Sequence, residues 1–341
     1  MTRSILICII AFSISAKADV PIANKSVVHF ASVSEGKQIL TTKDDYIRRL
    51  SPFDRAARMK VDRAVSEEEF LNLVGASVAD WTKEETQKIQ TSLEQIRSRL
   101  RDLSPSFPAT IQLIKTSGAE EGNAAYTRGS AIIIPKRELT KDSNGLQRLV
   151  CHELFHVLSR QNPELRKQLY AIIGFTECDE IEFPRELASR KITNPDAPRN
   201  DHFIRLQHEG RECLAVPVLF SNAEAYDRAK GGEFFDDLTF QFLVVEKNPD
   251  LPRLKVVYEN STPRLIGPET VSGFFEQIGK NTDYIIHPEE ILAENFALLI
   301  LGEQKVASPE ILQKIKEVLF RKGTSTQQEI ITDLRYVSGL H

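Results

Sequence analysis

The chain has 341 residues, of which 41% are hydrophobic and 27% charged, with a formal charge of −4. That is enough apolar material for one large core or two lobes, and it excludes an intrinsically disordered chain. The acidic balance and the lack of any basic run argue against a nucleic-acid partner, and no segment approaches transmembrane length, so no membrane span is expected.

Residues 1–18 read as an export signal. Arg3 supplies the positive charge, Ile5 to Ile14 a short apolar stretch, and Ala16-Lys17-Ala18 a small-x-small cleavage site before Asp19. The expected location is therefore secreted or periplasmic, after cleavage near Ala18. Cys8 belongs to this signal. Of the remaining cysteines, Cys151 reads as a small core residue, whereas Cys178 and Cys213 could pair in an oxidising compartment or stay free.

Val27 to Ser32 has strand length and character, and Asp44 to Arg63 carries closely spaced charge on a helical segment. Ser66-Glu67-Glu68-Glu69 opens a helix with acids in its first turn, where the macrodipole favours them. Thr82-Lys83-Glu84-Glu85 is a capping box, and Ile89, Leu93, Ile96 and Leu100 behind it fall at helical spacing. The helix is expected to end near Pro105. Thr110 to Ile114 alternates like a strand, and Ala125 to Pro135 is strand-like with a turn or bulge at Gly129-Ser130. An edge strand there would offer unpaired N–H and C=O groups to an extended peptide; an ordinary edge strand is the plainer alternative.

Leu146 to Leu158 is apolar nearly all round, begins after the cap types Asp142, Ser143 and Asn144, and stops at Asn162-Pro163. Within it lies His152-Glu153-Leu154-Phe155-His156, an H-E-x-x-H sequence. On a helix, positions i and i+4 share one face, so both imidazoles can reach one metal ion, and Glu153 sits beside it as a general base. Ionisable groups on a buried helix need a partner that offsets their desolvation, and a metal is the simplest. A zinc so held lowers the pKa of its water from about 15.7 toward about 7.

Asn162-Pro163-Glu164 starts a further helix that runs to Gly174. Thr176 to Asp201 has loop chemistry, with turns at Pro184, Asn194-Pro195-Asp196 and Ala197-Pro198; so long a loop either walls a cleft or simply connects two lobes. Cys213 to Phe220, Leu238 to Glu246 and Leu254 to Tyr258 read as an antiparallel meander. His287-Pro288-Glu289-Glu290 begins a partly buried helix that ends at Gly302, with Glu290 and Glu294 on one face. From Ser308 onward the pattern suggests packing helices, with His341 disordered.

The order of helix, strand, a strand-like segment from Asn123-Ala124-Ala125-Tyr126, and the helix bearing His152-Glu153-x-x-His156 resembles the catalytic half of the zincin metallopeptidases. Asn162 stands six residues after His156 and no His-x-x-Gly-x-x-His extension follows, which departs from the metzincins and points to the gluzincin group. The resemblance covers about residues 82–160 and 285–302. It implies a zinc cofactor held by His152, His156 and Glu290, a catalytic Glu153, and Glu294 orienting a ligating histidine. Glu294 replaces the usual aspartate, and the long separation from His156 is assigned to the inserted β region. Glu177, Glu180, Glu182 and Glu186, or Glu294 itself, stay open as the third ligand. For the oxyanion-stabilising group, Tyr284, His287, His202 and Tyr226 are all available.

The expected fold class is α+β and zincin-like, in five parts: the signal (1–18), an N-terminal helical segment (19–81), a core with the H-E-x-x-H helix (82–174), a loop and inserted β subdomain (175–265), and a C-terminal helical part (266–341). The expected partner is a peptide or protein substrate. The leading function is an exported metallopeptidase; the alternatives are a non-catalytic zincin-like binding or scaffold protein and a zinc amidase acting on cell-wall material.

Overall fold

The computed structural model describes residues 19–320 apart from Asn24, Asp102, Ser104, Asp250 and Pro252. The expected export signal and His341 lie outside the described residues. In chain order come β1 (Val20–Ala23), β2 (Ser26–Phe30), the helices α1 (Val33–Leu40), α2 (Asp45–Arg49), α3 (Pro52–Met59) and α4 (Glu67–Ser77), then β3 (Val78–Ala79) and α5 (Lys83–Leu100). Four of these helices start on sequence-coded capping boxes, at Ser32, Ser51, Ser66 and Thr82, where the cap hydroxyl and the third-position carboxylate satisfy each other's backbone donors. The charged stretch from Asp44 to Arg63 is thus two short helices, because Ser51 caps a new one with Pro52 at its first position.

β4 (Thr110–Thr116), β5 (Tyr126–Arg128) and β6 (Ala131–Pro135) complete a mixed six-stranded sheet in the order β1-β2-β4-β6-β5, with β3 on β4. β4 runs parallel to β2 and β6, while β5 returns antiparallel to β6 through Gly129-Ser130 and forms the sheet's edge. Ile132 and Ile134 of β6 enter one core with α5, whereas Ala131 and Ile133 enter a second core with α1 to α4. A sheet covered on both faces explains why this strand reads as a continuous apolar run instead of alternating.

α6 (Ser143–Gln161) carries the H-E-x-x-H sequence, with Asp142 as its cap, and α7 (Pro163–Ile172) follows directly. The stretch from Thr176 to Asp201 is less irregular than its composition suggests: β7 (Phe175–Glu177) and α8 (Arg185–Ser189) lie in it. β8 (His202–His208), β9 (Arg211–Ser221), β10 (Leu238–Lys247) and β11 (Leu254–Val256) form the expected antiparallel meander, with β8 as a member the sequence reading did not include. α9 (Phe274–Ile278) leads to α10 (Pro288–Leu301), which ends where Gly302 adopts φ +73° and returns its N–H to Leu298 and Leu299. Residues 309–320 are helical.

The fold is therefore mixed α+β. α10 packs along α6 in the larger core, with the rings of Phe155 and Phe296 5.6 Å apart. Cys178 and Cys213 are both free, so the disulfide alternative is not realised, and Cys151 is a buried core thiol. Among the described residues no helix is long and apolar enough to cross a membrane.

Candidate metal centre

One turn of α6 separates His152 from His156, whose ring centroids lie 4.7 Å apart. α10 faces them with three carboxylates. His152 Nε2 is 3.0 Å from Glu290 Oε2, and His156 Nε2 is 3.6 Å from the same oxygen. The other oxygen of Glu290 accepts a hydrogen bond from Asn194 Nδ2 at 2.6 Å.

The outer ring nitrogens are also held. His152 Nδ1 lies 2.9 Å from Glu294 Oε1, whose partner oxygen accepts from Arg148 at 2.5 Å. His156 Nδ1 lies 3.1 Å from Glu289 Oε1, and Glu289 Oε2 accepts from Ser159 Oγ (2.8 Å) and Tyr170 Oη (2.5 Å). A carboxylate on Nδ1 fixes tautomer and ring orientation and leaves Nε2 as the lone-pair donor. His156 Nε2 is fully buried and has no hydrogen-bond partner.

Such an orphan costs about 1–3 kcal/mol unless something ligates it. Donors about 2.1 Å from a tetrahedral ion lie about 3.4 Å from one another, a value that the two observed histidine–Glu290 separations bracket. The ligating atoms of His152, His156 and Glu290 all lie within 4.8 Å of one another, so the group could hold a metal ion.

The Glu153 carboxylate lies beside His156, their ligating atoms within 4.8 Å of each other. It is 2% exposed, and its Oε2 accepts from Thr127 Oγ1 of β5 at 2.8 Å. Burial, seconded by the Asp196 carboxylate, pushes it up to about 7 against the opposing pull of the two imidazoles. Asp196 Oδ1 accepts from the Thr127 backbone N–H at 2.6 Å and lies 4.0 Å from His156 Nε2. Burial would raise Glu290 and Glu294 as well, but His156, His152 and Asn194 bring Glu290 down to about 2, and His152 and Arg148 bring Glu294 down to about 2. Burial would lower His152, yet its bonds to Glu290 and Glu294 hold it well above the usual imidazole value.

Of the candidates for oxyanion stabilisation, Tyr284 reaches the site: its ring is 6.3 Å from that of His152 and it is 43% exposed. His287 caps α10 by accepting the Glu289 N–H on Nδ1 at 3.1 Å, and His202 bonds Asp201 at 2.6 Å; both flank the Tyr170 ring, behind Glu289. Tyr226 packs on Phe53 in the N-terminal core. Glu177, Glu180 and Glu182 pair with Lys167, Arg49 and Arg253, and Glu186 is exposed in the first turn of α8, so none of the four joins the cluster.

Sequence reasoning missed Glu289, Asn194, Asp196 and Thr127. Glu289 was visible as a third acid in the first turn of α10. The others carry no local signal beyond the length of the loop and its Asn-Pro-Asp turn.

The eCIS core domain family matches residues 113–164, from β4 through α6. This is a domain found in proteins associated with zincin-like metallopeptidases. No curated protein and no solved structure matches the chain.

Proposed function

We propose that this chain is an exported zinc metallopeptidase of the gluzincin type. The observation that carries the reading is the convergence of His152 Nε2, His156 Nε2 and Glu290 Oε2, with a buried Glu153 alongside and a carboxylate behind each imidazole. A nitrogen–nitrogen–oxygen donor set of this kind suits zinc, which when bound would acidify a water and polarise a carbonyl.

The rest belongs to the protein's own side chains. Glu153, poised near neutrality, takes the proton of the attacking water and delivers it to the leaving nitrogen. Thr127 aims that carboxylate through its hydroxyl. Glu289 and Glu294 keep both Nε2 lone pairs facing the cleft. Tyr284, at the cleft rim, is the phenol best placed to donate to a developing oxyanion. β5 is the sheet edge beside Glu153, and its outward Thr127 N–H and C=O are already bonded to Asp196 and Arg160. The arrangement of Arg3, Ile5 to Ile14 and Ala16 to Ala18 supports export.

The test is metal analysis of the mature protein together with Glu153→Gln assayed on a mixed peptide library. One zinc per chain in both proteins is expected, with turnover of the variant lower by about 10²- to 10⁴-fold, since the amide cannot accept the proton. Absence of zinc, or a variant of near-normal activity, would overturn the reading.

A further inference from the structure

A cavity of about 50 Å³ lies beside the metal centre, and each ligating residue has a neighbour in its wall. Asn194 donates to Glu290, Asp196 Oδ1 lies 4.0 Å from His156 Nε2, and the Tyr284 ring lies 6.3 Å from that of His152. All three line the cavity. Beyond Pro195 and Asp196, which border both, is a larger cavity of about 310 Å³. Its walls carry four arginines against five carboxylates, so they favour no one class of ligand.

The smaller cavity is of a single kind. Ile192, Leu219 and Phe234 are buried members of the N-terminal core, and Phe235 and Tyr284 complete the lining from its exposed side. The charged groups that reach it are engaged within the protein. Arg58 meets Glu121 at 2.9 Å, and Asp196 accepts the Thr127 N–H at 2.6 Å.

Phe235 is 41% exposed and yet held in place. Its ring lies 4.0 Å from that of Phe234, which in turn stacks under the Arg58 guanidinium at 4.2 Å. Lys60 fastens Glu233, the cap of the short 3₁₀ turn Phe234–Asp237, at 2.8 Å. Gly122 makes room for the ring, since a Cβ there would stand 2.9 Å from it. Two large apolar side chains at the mouth of an apolar cavity leave surface in water that a bound apolar group would cover. The size of that group follows from the volume. One water-sized probe takes about 10–15 Å³, so the cavity accepts about three to five groups of that size. A leucine, isoleucine or methionine side chain matches this, whereas a phenylalanine ring exceeds it.

Resting on the metallopeptidase reading, we infer that this cavity is a side-chain subsite of the metal centre. The protein then cuts peptides beside a medium-sized aliphatic residue, leucine, isoleucine or methionine. Phe235 is the residue that sets this preference, because its ring forms the wall that limits the cavity on its exposed side.

The test is digestion of a mixed peptide library by zinc-loaded wild type, Phe235→Ala and Phe235→Leu, with the residues on either side of every cut read by mass spectrometry. In wild type, one flank of the cut should carry leucine, isoleucine or methionine at least about tenfold more often than glycine, aspartate or lysine, the scale of discrimination that methylenes in an apolar pocket supply. Phe235→Ala should lose at least about tenfold of that preference and gain cuts beside phenylalanine, with bound zinc unchanged at one per chain. Phe235→Leu should shift the same way by a smaller factor, and it carries the test if the alanine variant fails to fold. A wild type without the aliphatic preference, or folded variants that keep it undiminished, would overturn this inference and leave the metallopeptidase reading standing, since peptides are still cut. Failure of the wild type to hold zinc or to cut any peptide would overturn that reading, and this inference with it.

Discussion

Two clusters of buried charge lie on either side of the segment 193–196, and they are built on opposite plans. Around Arg58 the protein supplies the cation itself. Its guanidinium meets Asp54 at 2.6 Å, Glu121 at 2.9 Å and the Thr193 carbonyl at 3.0 Å, and it stacks 4.2 Å above the Phe234 ring. Asp54 in turn accepts from the Ser51 and Thr193 backbones, and Tyr46 donates to Glu121. Around His152 and His156 the acids outnumber the permanent cations. Glu153, Glu289, Glu290, Glu294 and Asp196 converge there, with Arg148 the guanidinium bonded to one of them, and one buried ring nitrogen is unmatched. Burial of charge is common to both; what separates them is whether the protein supplies its own cation.

The widest gap between the two should appear on removing that cation. Arg58→Met leaves Asp54 and Glu121 buried without compensation, a change that costs about 3–5 kcal/mol of stability. Denaturant melts should show this loss, and the folded fraction should bind metal as wild type does. If Arg58→Met stayed stable, or if zinc rescued it, the two clusters would not be separate systems.

A smaller effect is expected from the carboxylates behind the imidazoles. Glu294→Ala and Glu289→Ala each free an Nδ1 and should weaken zinc, measured by chelator competition, by about 10- to 100-fold, as losses behind a ligating histidine do. Glu290→Ala removes a donor outright and should cost more than either. Two variants of similar size would show that each histidine is held independently. A silent Glu289→Ala would mean that Ser159 and Tyr170, not the imidazole, are the partners that matter to Glu289.

How much of this was legible depended on where the information resides. The α6 helix, its Asp142 cap, the capping boxes and the Glu290–Glu294 face are local patterns of spacing 3 or 4, and each could be read from a dozen residues. Glu289 lay in view, but one helical position is a rotation of about 100°, and only the crossing of α10 over α6 decides that it, too, faces His156. Asp196 and Asn194 were not legible, because a turn-rich loop has no period and the bonds that bring it over the cleft come from Asp54, Thr127 and Arg160, all more than 30 residues away in sequence. β8 escaped because His202, Arg205, Gln207 and His208 make it look like a continuation of that loop, whereas in the sheet only Phe203, Ile204 and Leu206 among its apolar residues need cover.

The subtlest distinction between the clusters is in protons. Arg58 holds its charge at every pH the fold survives, so its cluster exchanges nothing on loading. His152 is held well above its ordinary value in the metal-free protein by Glu290 and Glu294, which more than offset the lowering effect of burial. The protonated ring is thus favoured in the metal-free protein, and a metal bound there must displace that proton. The sign follows for both forms. In the metal-free protein this histidine stabilises the fold fully below about pH 6.5, the unfolded value, and the contribution is lost as pH rises through the raised folded value. Metal affinity moves the other way, rising about tenfold per pH unit until His152 is neutral and then levelling. Zinc titrations by calorimetry at neutral pH, in buffers of differing ionisation enthalpy, should give about one proton released per ion from this residue, and Glu294→Gln, which removes one of the two carboxylates holding the proton, should reduce that number. Zinc uptake without proton release would show that His152 is already neutral, and that the acids around it are balanced by something other than a proton waiting to be exchanged.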